Sequence, residues 1–382
     1  MESSTNQFLI KTLKENARPD SKHSAYRYSQ IKALLSRNES SPYPDTDEGK
    51  EQVFSELYQK LANVTAETEQ IYTTGKNLIY FTVFLSDEFL DLTVNCLESI
   101  LEKTQNINFD VLFITDEEYK EKLLTKSIIS NFNCHFHVVT TPVTGPRASL
   151  QKIYIHDFSL INNYENIFYL DSDIICLKDI NLILNLPFEV GKLYTANTSQ
   201  ITSYALITPS HGLMYLTDRD AEYLALNPDK VKPFNAGQFL FKNSLHMRKH
   251  FENVRWLVEI WPGEFFFEQS VLNHYFALNS LNVLINDLAQ KPFVSVAGME
   301  VKMHTNKEPE PSRSLVVTGA TKTACPSAHP YKRDPYTFTS EWKIPFNEDN
   351  VLIHFAGKTL RGQIKKDRMS SFLTNHASKL SA

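Results

Sequence analysis

Residues 166–180 read NIFYLDSDIICLKDI. A mostly apolar run, Asn166 to Leu170, meets Asp171-Ser172-Asp173, and the chain returns at once to Ile174-Ile175-Cys176-Leu177. Two carboxylates so close at the edge of a core lose hydration and repel each other, which drives them to take up protons unless something positive meets them. A divalent cation removes both penalties. The alternative is a strand-end turn whose aspartates cap backbone groups. Two other Asp-x-Asp pairs, Asp45/Asp47 and Asp218/Asp220, lie in a polar linker and at the start of a helix read as exposed. There, water and the helix dipole suffice. Only Asp171/Asp173 follows a buried apolar strand.

The surroundings of this stretch give the fold class. LIYFTVFL (78–85) is a continuous apolar and aromatic run, as in a strand buried on both faces. A helix follows, with Leu92, Cys96, Leu97 and Ile100 on one face. FDVLFITDEEY (109–119) predicts a second strand, EEYKEKLLTKSIIS (117–130) a second helix and CHFHVVTT (134–141) a third strand. A helix from about Ser149 to Leu160 leads into the Asp-Ser-Asp strand. Strands and helices alternating at this spacing predict an α/β fold, a mostly parallel sheet flanked by helices on both faces. Ligands on such sheets bind past the carboxyl ends of the strands, where Asp171 and Asp173 fall.

Residues 1–75 are polar and read as an N-terminal helical appendage: KHSAYRYSQIKALLSR (22–37) and EQVFSELYQKLANV (51–64) are helical in spacing, joined by a turn-rich linker. Residues 76–382 are read as the main domain. EPEPSRSLVVTGATKTACPSAHPYKRDPY (308–336) reads as a long irregular loop suited to a lid or an acceptor surface.

The net charge of −5 argues against a broad basic nucleic-acid surface. The N-terminus lacks the pattern of a secretory signal, and no apolar run reaches the ~18 residues of a membrane span. The expectation is therefore a cytoplasmic protein. Its cysteines, Cys96, Cys134, Cys176 and Cys325, have no metal-type spacing and are read as free thiols.

ENIFYLDSDIICLKDINLIL (165–184) resembles the metal-binding segment of GT-A-fold (Rossmann-like) glycosyltransferases. The likeness is to retaining family 8, which contains glycogenin and bacterial lipopolysaccharide galactosyltransferases. Four further segments match in order: SLQKIYIHDF (149–158), PFNAGQFLFKNS (233–244), FFFEQSVLNHYF (265–276) and VLIHFAGKTLRG (351–362). The resemblance implies a metal held by Asp171, Asp173 and His354. It implies donor contacts from Lys152, Ser172, Ala236, Gly237 and Gly357, with Asn235 lining the sugar pocket and Gln269 near the anomeric carbon. Thr82 and Phe84, at the end of the first strand, are placed against the nucleobase, and Asp116 similarly by its position. Glu268 stands where the family has Asp. Leu360 replaces an expected Lys, leaving Lys358 or Arg361 to supply that charge.

Plainer readings exist for several of these residues. His354 could be a hydrogen-bonded core histidine, Asn235–Gly237 a turn, and Lys152 a solvated helix residue.

The implied activity is transfer of a hexose from a UDP-sugar to a glycan or protein acceptor, with retention of configuration. A metal bridging the diphosphate stabilises a leaving group that gains negative charge. Two carboxylates plus an imidazole favour Mn²⁺, with Mg²⁺ as the second choice. A neutral amide such as that of Gln269 suits an oxocarbenium-like state. The alternatives are a nucleotide-sugar-binding protein without transfer, a nucleotidyltransferase (disfavoured because no Gly-rich loop follows the first strand), and an interaction protein acting through its N-terminal helices.

Overall fold

Strand β1 (Asn77–Val83) is buried along its length except at half-buried Thr82, which explains the unbroken apolar run. It pairs in parallel with β2 (Phe109–Thr115), and β2 pairs in parallel with β3 (Cys134–Val138). On its other edge β1 pairs in parallel with β4 (Asn166–Leu170), with Ile79 opposite Phe168. Next in the chain come β5 (Ile174–Cys176), β6 (Leu193–Asn197), β7 (Phe234–Lys242) and β8 (Asn282–Leu284). The main sheet has seven strands in the order β3-β2-β1-β4-β7-β6-β8. Strand β7 runs antiparallel to both neighbours, while β6 and β8 are parallel to each other. This reversal brings the start of β7, Asn235 to Gly237, beside the carboxyl end of β4.

The structure is a computed structural model. It describes residues 77–142, 144–197, 231–260, 267–296 and 348–355, most with their side chains. It also describes scattered positions between 55 and 76 and the backbone at 298–303, 315–317 and 338–344.

Helices cover both faces of the sheet. Ile79, Phe81 and Val83 pack in one core with Leu97 and Ile100 of α1 (Asp87–Lys103). Ser86 caps α1 by accepting from the Glu88 N–H, and Asp87, Glu88 and Lys103 complement its dipole. α2 (Glu117–Leu124) is capped by Asp116, whose carboxylate accepts from the Tyr119 N–H at 2.9 Å. That bond uses one of the two carboxylate oxygens of Asp116. α3 (Gly145–Leu150) precedes β4. On the other face, Leu78, Tyr80, Phe239 and Phe241 share a core with Met247, Phe251 and Val254 of α4 (Leu245–Ile260). α5 (Phe267–Leu272) continues into a π-helical turn over Asn273–Ala277.

Two small sheets complete the described fold. In one, β13 (Leu352–His354) lies between β5, antiparallel to it, and β9 (Val294–Val296), parallel to it. The other is antiparallel and contains β10 (Gly298–Met303), β11 (Leu315–Val317) and β12 (Phe338–Ile344), with β12 in the middle.

Several expectations need correction. The first strand ends at Val83, and Leu85 adopts a left-handed backbone (φ 66°) with its side chain exposed. The chain must pass from strand to capped helix within three residues, and this bend lets Ser86 reach the cap. The single helix predicted over 149–160 is α3 followed by 3₁₀ turns at Gln151–Asp157, broken at Tyr154, and at Ile161–Asn163. Lys152, Ile153, Ile155 and His156 are all buried on either side of the break. Within the predicted 308–336 loop, Leu315–Val317 forms β11, because these apolar residues find a partner in β12.

Of the appendage, Ser55–Glu56 and Gln59–Lys60 are helical, and the Lys60 ammonium lies 4.9 Å from the Trp256 ring centre on α4. The predicted helix at 22–37 lies outside the described residues, as do Asp218/Asp220 and Cys325. Cys96, Cys134 and Cys176 are free thiols.

Two buried histidines give the fold a pH dependence. His156 sits between Phe241 and Phe251, and His250 sits against Tyr275 and Phe276. Burial, helped by neighbouring positive groups, pushes each imidazole from the usual 6.5 down to about 3. Between those values the unfolded chain binds protons that the folded chain refuses. Stability is therefore full above pH 6.5 and falls as the pH drops toward 3, each histidine adding up to ~1.4 kcal/mol per pH unit. Urea midpoints at pH 7.5, 6 and 5 should fall for the wild type and fall less for His156→Phe. Identical pH slopes for the two proteins would contradict this account.

Candidate active site

The chain leaves the main sheet at Leu170 and joins the small sheet at Ile174, so Asp171, Ser172 and Asp173 bridge the two sheets. The bridge is tied at both ends. The Asp171 N–H donates to the Gly237 carbonyl at 2.6 Å, and the Phe355 N–H donates to the Asp173 carbonyl at 3.0 Å. Opposite Ile174 in the small sheet is His354. Its Nε2 lies 2.9 Å from Asp173 Oδ1 and 3.7 Å from Asp171 Oδ2. One donor atom from each of Asp171, Asp173 and His354 falls within a 4.8 Å group, the size of a metal-binding cluster.

The fit to a cation rests on three observations. His354 is 3 % exposed, and its Nδ1 is buried without a hydrogen-bond partner among the described residues. Gly237 is a close approach: a Cβ there would lie 2.1 Å from His354 Cε1 and 2.7 Å from Asp171 Oδ2. Asp171, Asp173 and Glu268 bring three carboxylates to one centre, against the Lys152 ammonium and the His354 ring, a concentration of acidic groups that a divalent ion would suit.

Lys152 is buried, not solvated, at 2 % exposure. Its ammonium lies 3.3 Å from Asp171 Oδ1 and 3.9 Å from Glu268 Oε1, donates to the Ala236 carbonyl at 3.1 Å, and sits 4.5 Å from the Tyr169 ring centre. Such a cation tolerates burial only with partners of this kind. Glu268 also accepts from the Ser149 hydroxyl at 3.0 Å. The Tyr169 hydroxyl donates to Asp171 Oδ1. Burial and the Asp171 charge hold its pKa well above 10, so the proton stays on the tyrosine.

Gln269 reaches the same centre from α5. Its Oε1 accepts from the Ala236 N–H at 3.2 Å, and its amide NH₂ has no hydrogen bond among the described residues. One turn on, the Asn273 amide clamps Phe234 on both sides, accepting from its N–H and donating to its carbonyl, each at 2.8 Å. Asn273 also donates to the Gln269 carbonyl. Asn235 Oδ1 accepts from the Gly237 N–H at 2.8 Å, a local turn bond in keeping with the plainer reading of this segment.

The site thus brings together Lys152, Asp171, Asp173, Ala236, Gly237, Glu268, Gln269 and His354. Ser172 is half-buried on the bridge and Asn235 half-buried at the start of β7. Thr82 connects to the site through the Tyr169 hydroxyl at 3.1 Å. Phe84 is 3 % exposed and belongs to the core beneath. Gly357, Lys358, Leu360 and Arg361 lie outside the described residues. Sequence reading passed over Tyr169 and Asn273. The aromatic character of Tyr169 reads as strand core, and the clamp made by Asn273 joins segments far apart in the chain.

The sequence model of glycosyl transferase family 8 matches residues 81–279, just over half of the chain, and the chain belongs to that family. The protein is a glycosyltransferase by family. The seven-stranded sheet with helices on both faces and a ligand cluster at its carboxyl edge is the α/β architecture expected from the sequence. Solved structures with some likeness include the galactosyltransferase LgtC in complex with donor and acceptor sugar analogs. It is 12 % identical, covering 55 % of this chain and 72 % of that one, with TM-score 0.39. Mouse xyloside xylosyltransferase 1 in its apo form is 13 % identical, covering 55 % and 84 %, with TM-score 0.37. An active-site mutant of LgtC is 11 % identical, covering 77 % and 95 %, with TM-score 0.44. No curated protein matches the chain.

The packing at Gly237 gives a direct test. Gly237→Ala forces a methyl group into the His354 ring and the Asp171 carboxylate. It should lower stability by ~1–3 kcal/mol, read as a lower urea midpoint at unchanged slope. An unchanged midpoint would show that His354 does not lie against Gly237.

Proposed function

We propose that this protein is a metal-dependent, retaining glycosyltransferase that moves a hexose from a UDP-sugar to a glycan or protein acceptor. The observation that carries the reading is the convergence of one ligand atom each from Asp171, Asp173 and His354. Two carboxylates and an imidazole suit Mn²⁺ better than Mg²⁺, which prefers oxygen ligands alone. When bound, the ion would neutralise charge on the diphosphate leaving group.

The other roles belong to the chain itself. The Lys152 ammonium adds a fixed positive charge to the diphosphate side of the site. Gly237 and Ala236 give the donor sugar a floor without bulky side chains. The Gln269 amide offers a neutral dipole to the reacting carbon, suited to an oxocarbenium-like state that a charged nucleophile would trap. Asn235 lines the same pocket, and Thr82 faces the nucleobase from the end of β1. Retention of configuration follows from the family resemblance. Residues 1–75 are read as an appendage to the catalytic domain of 76–382, and the Lys60 contact with Trp256 fits an appendage that packs on that domain. No helix among the described residues is long and apolar enough to cross a membrane.

The test is UDP release from a panel of UDP-sugars with Mn²⁺, Mg²⁺ or chelator, on the wild type and on Asp173→Ala. One sugar should support release with Mn²⁺, and release should fall by ~100-fold or more with chelator or in the variant. Release unaffected by both would refute metal dependence. UDP binding without release, for every sugar and acceptor tried, would point instead to a non-catalytic nucleotide-sugar-binding protein.

A further inference from the structure

We propose that Tyr169 is a positioning residue that divides the Asp171 carboxylate, holding one oxygen and leaving the other as a single ligand atom for a divalent cation. The inference rests on the metal-dependent reading above and adds a residue outside the ligand set.

The two oxygens of Asp171 face different partners. Oδ1 takes the Tyr169 hydroxyl proton and lies 3.3 Å from the Lys152 ammonium. Oδ2 faces His354 Nε2 at 3.7 Å and the open backbone of Gly237. A carboxylate with both oxygens free can rotate or chelate in two ways. One whose Oδ1 is already held by a buried donor and a buried cation can offer only Oδ2.

Tyr169 cannot readily release its hold. It is 1 % exposed, its ring stacks on Phe239 at a centroid distance of 5.0 Å, and Tyr80 lies at the same distance on a tilted ring. Thr82 Oγ1 sits 3.1 Å from the Tyr169 hydroxyl. The hydroxyl has one proton, and a carboxylate can only accept it. Thr82 must therefore donate to the tyrosine oxygen, which fixes the direction of the chain Thr82→Tyr169→Asp171. A ring present for packing alone would need no hydroxyl here. This hydroxyl has two partners, and one is a ligand oxygen. Donors behind a ligand fix its orientation and tune its affinity, and their loss typically weakens metal binding by about 10–100-fold.

The test measures Mn²⁺ binding by the full chain, read as loss of the free-ion electron paramagnetic resonance signal, with and without UDP. Tyr169→Phe keeps the ring and removes the hydroxyl. It should bind Mn²⁺ about 10-fold or more weakly than the wild type, while its metal-free melting temperature stays close to wild type. A hydroxyl that served stability alone would show the opposite split, a lower melting temperature with unchanged affinity, and that result overturns the proposal. Should Tyr169→Phe fail to fold, Thr82→Val removes the donor behind the tyrosine. A smaller loss of affinity is then expected, and no loss overturns the proposal. Two failures can be told apart. A wild type that binds no Mn²⁺ refutes the metal reading itself. A wild type that binds, with Asp173→Ala losing affinity and Tyr169→Phe keeping it, refutes only the role of Tyr169.

Discussion

Two carboxylates, those of Asp171 and Asp173, are held close together at the carboxyl end of β4. Carboxylate oxygens within 4.8 Å of each other repel by about 3 kcal/mol or more at an effective dielectric near 20. Asp171 and Asp173 stay at this edge because the backbone fixes them there, tied to Gly237 on one side and to Phe355 on the other. Lys152 answers one charge, and Tyr169 holds the oxygen that Lys152 faces. Glu268 adds a third carboxylate beside Lys152.

The rest of the fold serves this meeting. The main sheet ends β4 at the site, and the single reversed strand, β7, brings Gly237 beside it so that no Cβ obstructs the His354 ring. The small sheet takes the chain away from the aspartates and delivers His354 from far along the sequence. α5 contributes Gln269, and the Asn273 clamp secures the strand end that Gln269 grips. Three separate elements thus fix one cluster, and an error in any of them would displace it by more than a ligand bond tolerates.

Much of this was legible in the sequence because it rests on local pattern. The buried run before Asp171 reads as an interior strand, and a carboxylate pair after such a strand favours a positive partner over a capped turn. The alternation of elements gave the parallel sheet. The failures have physical causes of another kind. Leu85 carries no signal for a left-handed turn, since leucine rarely adopts one. Lys152 reads either as a donor contact or as a solvated helix residue, and only its four partners, distant in sequence, show it buried. The break at Tyr154 carries no Gly or Pro to announce it. Tyr169 looks like core because its ring is core, and only its hydroxyl belongs to the site.

The central claim is that Asp171, Asp173 and His354 together form a metal centre. The most direct measurement is anomalous diffraction from crystals soaked with Mn²⁺ and UDP. The account predicts one anomalous peak about 2 Å from Asp171 Oδ2, from an Asp173 oxygen and from His354 Nε2, with Asp171 Oδ1 still held by Tyr169. A peak elsewhere, or none at this edge with UDP bound, would contradict it.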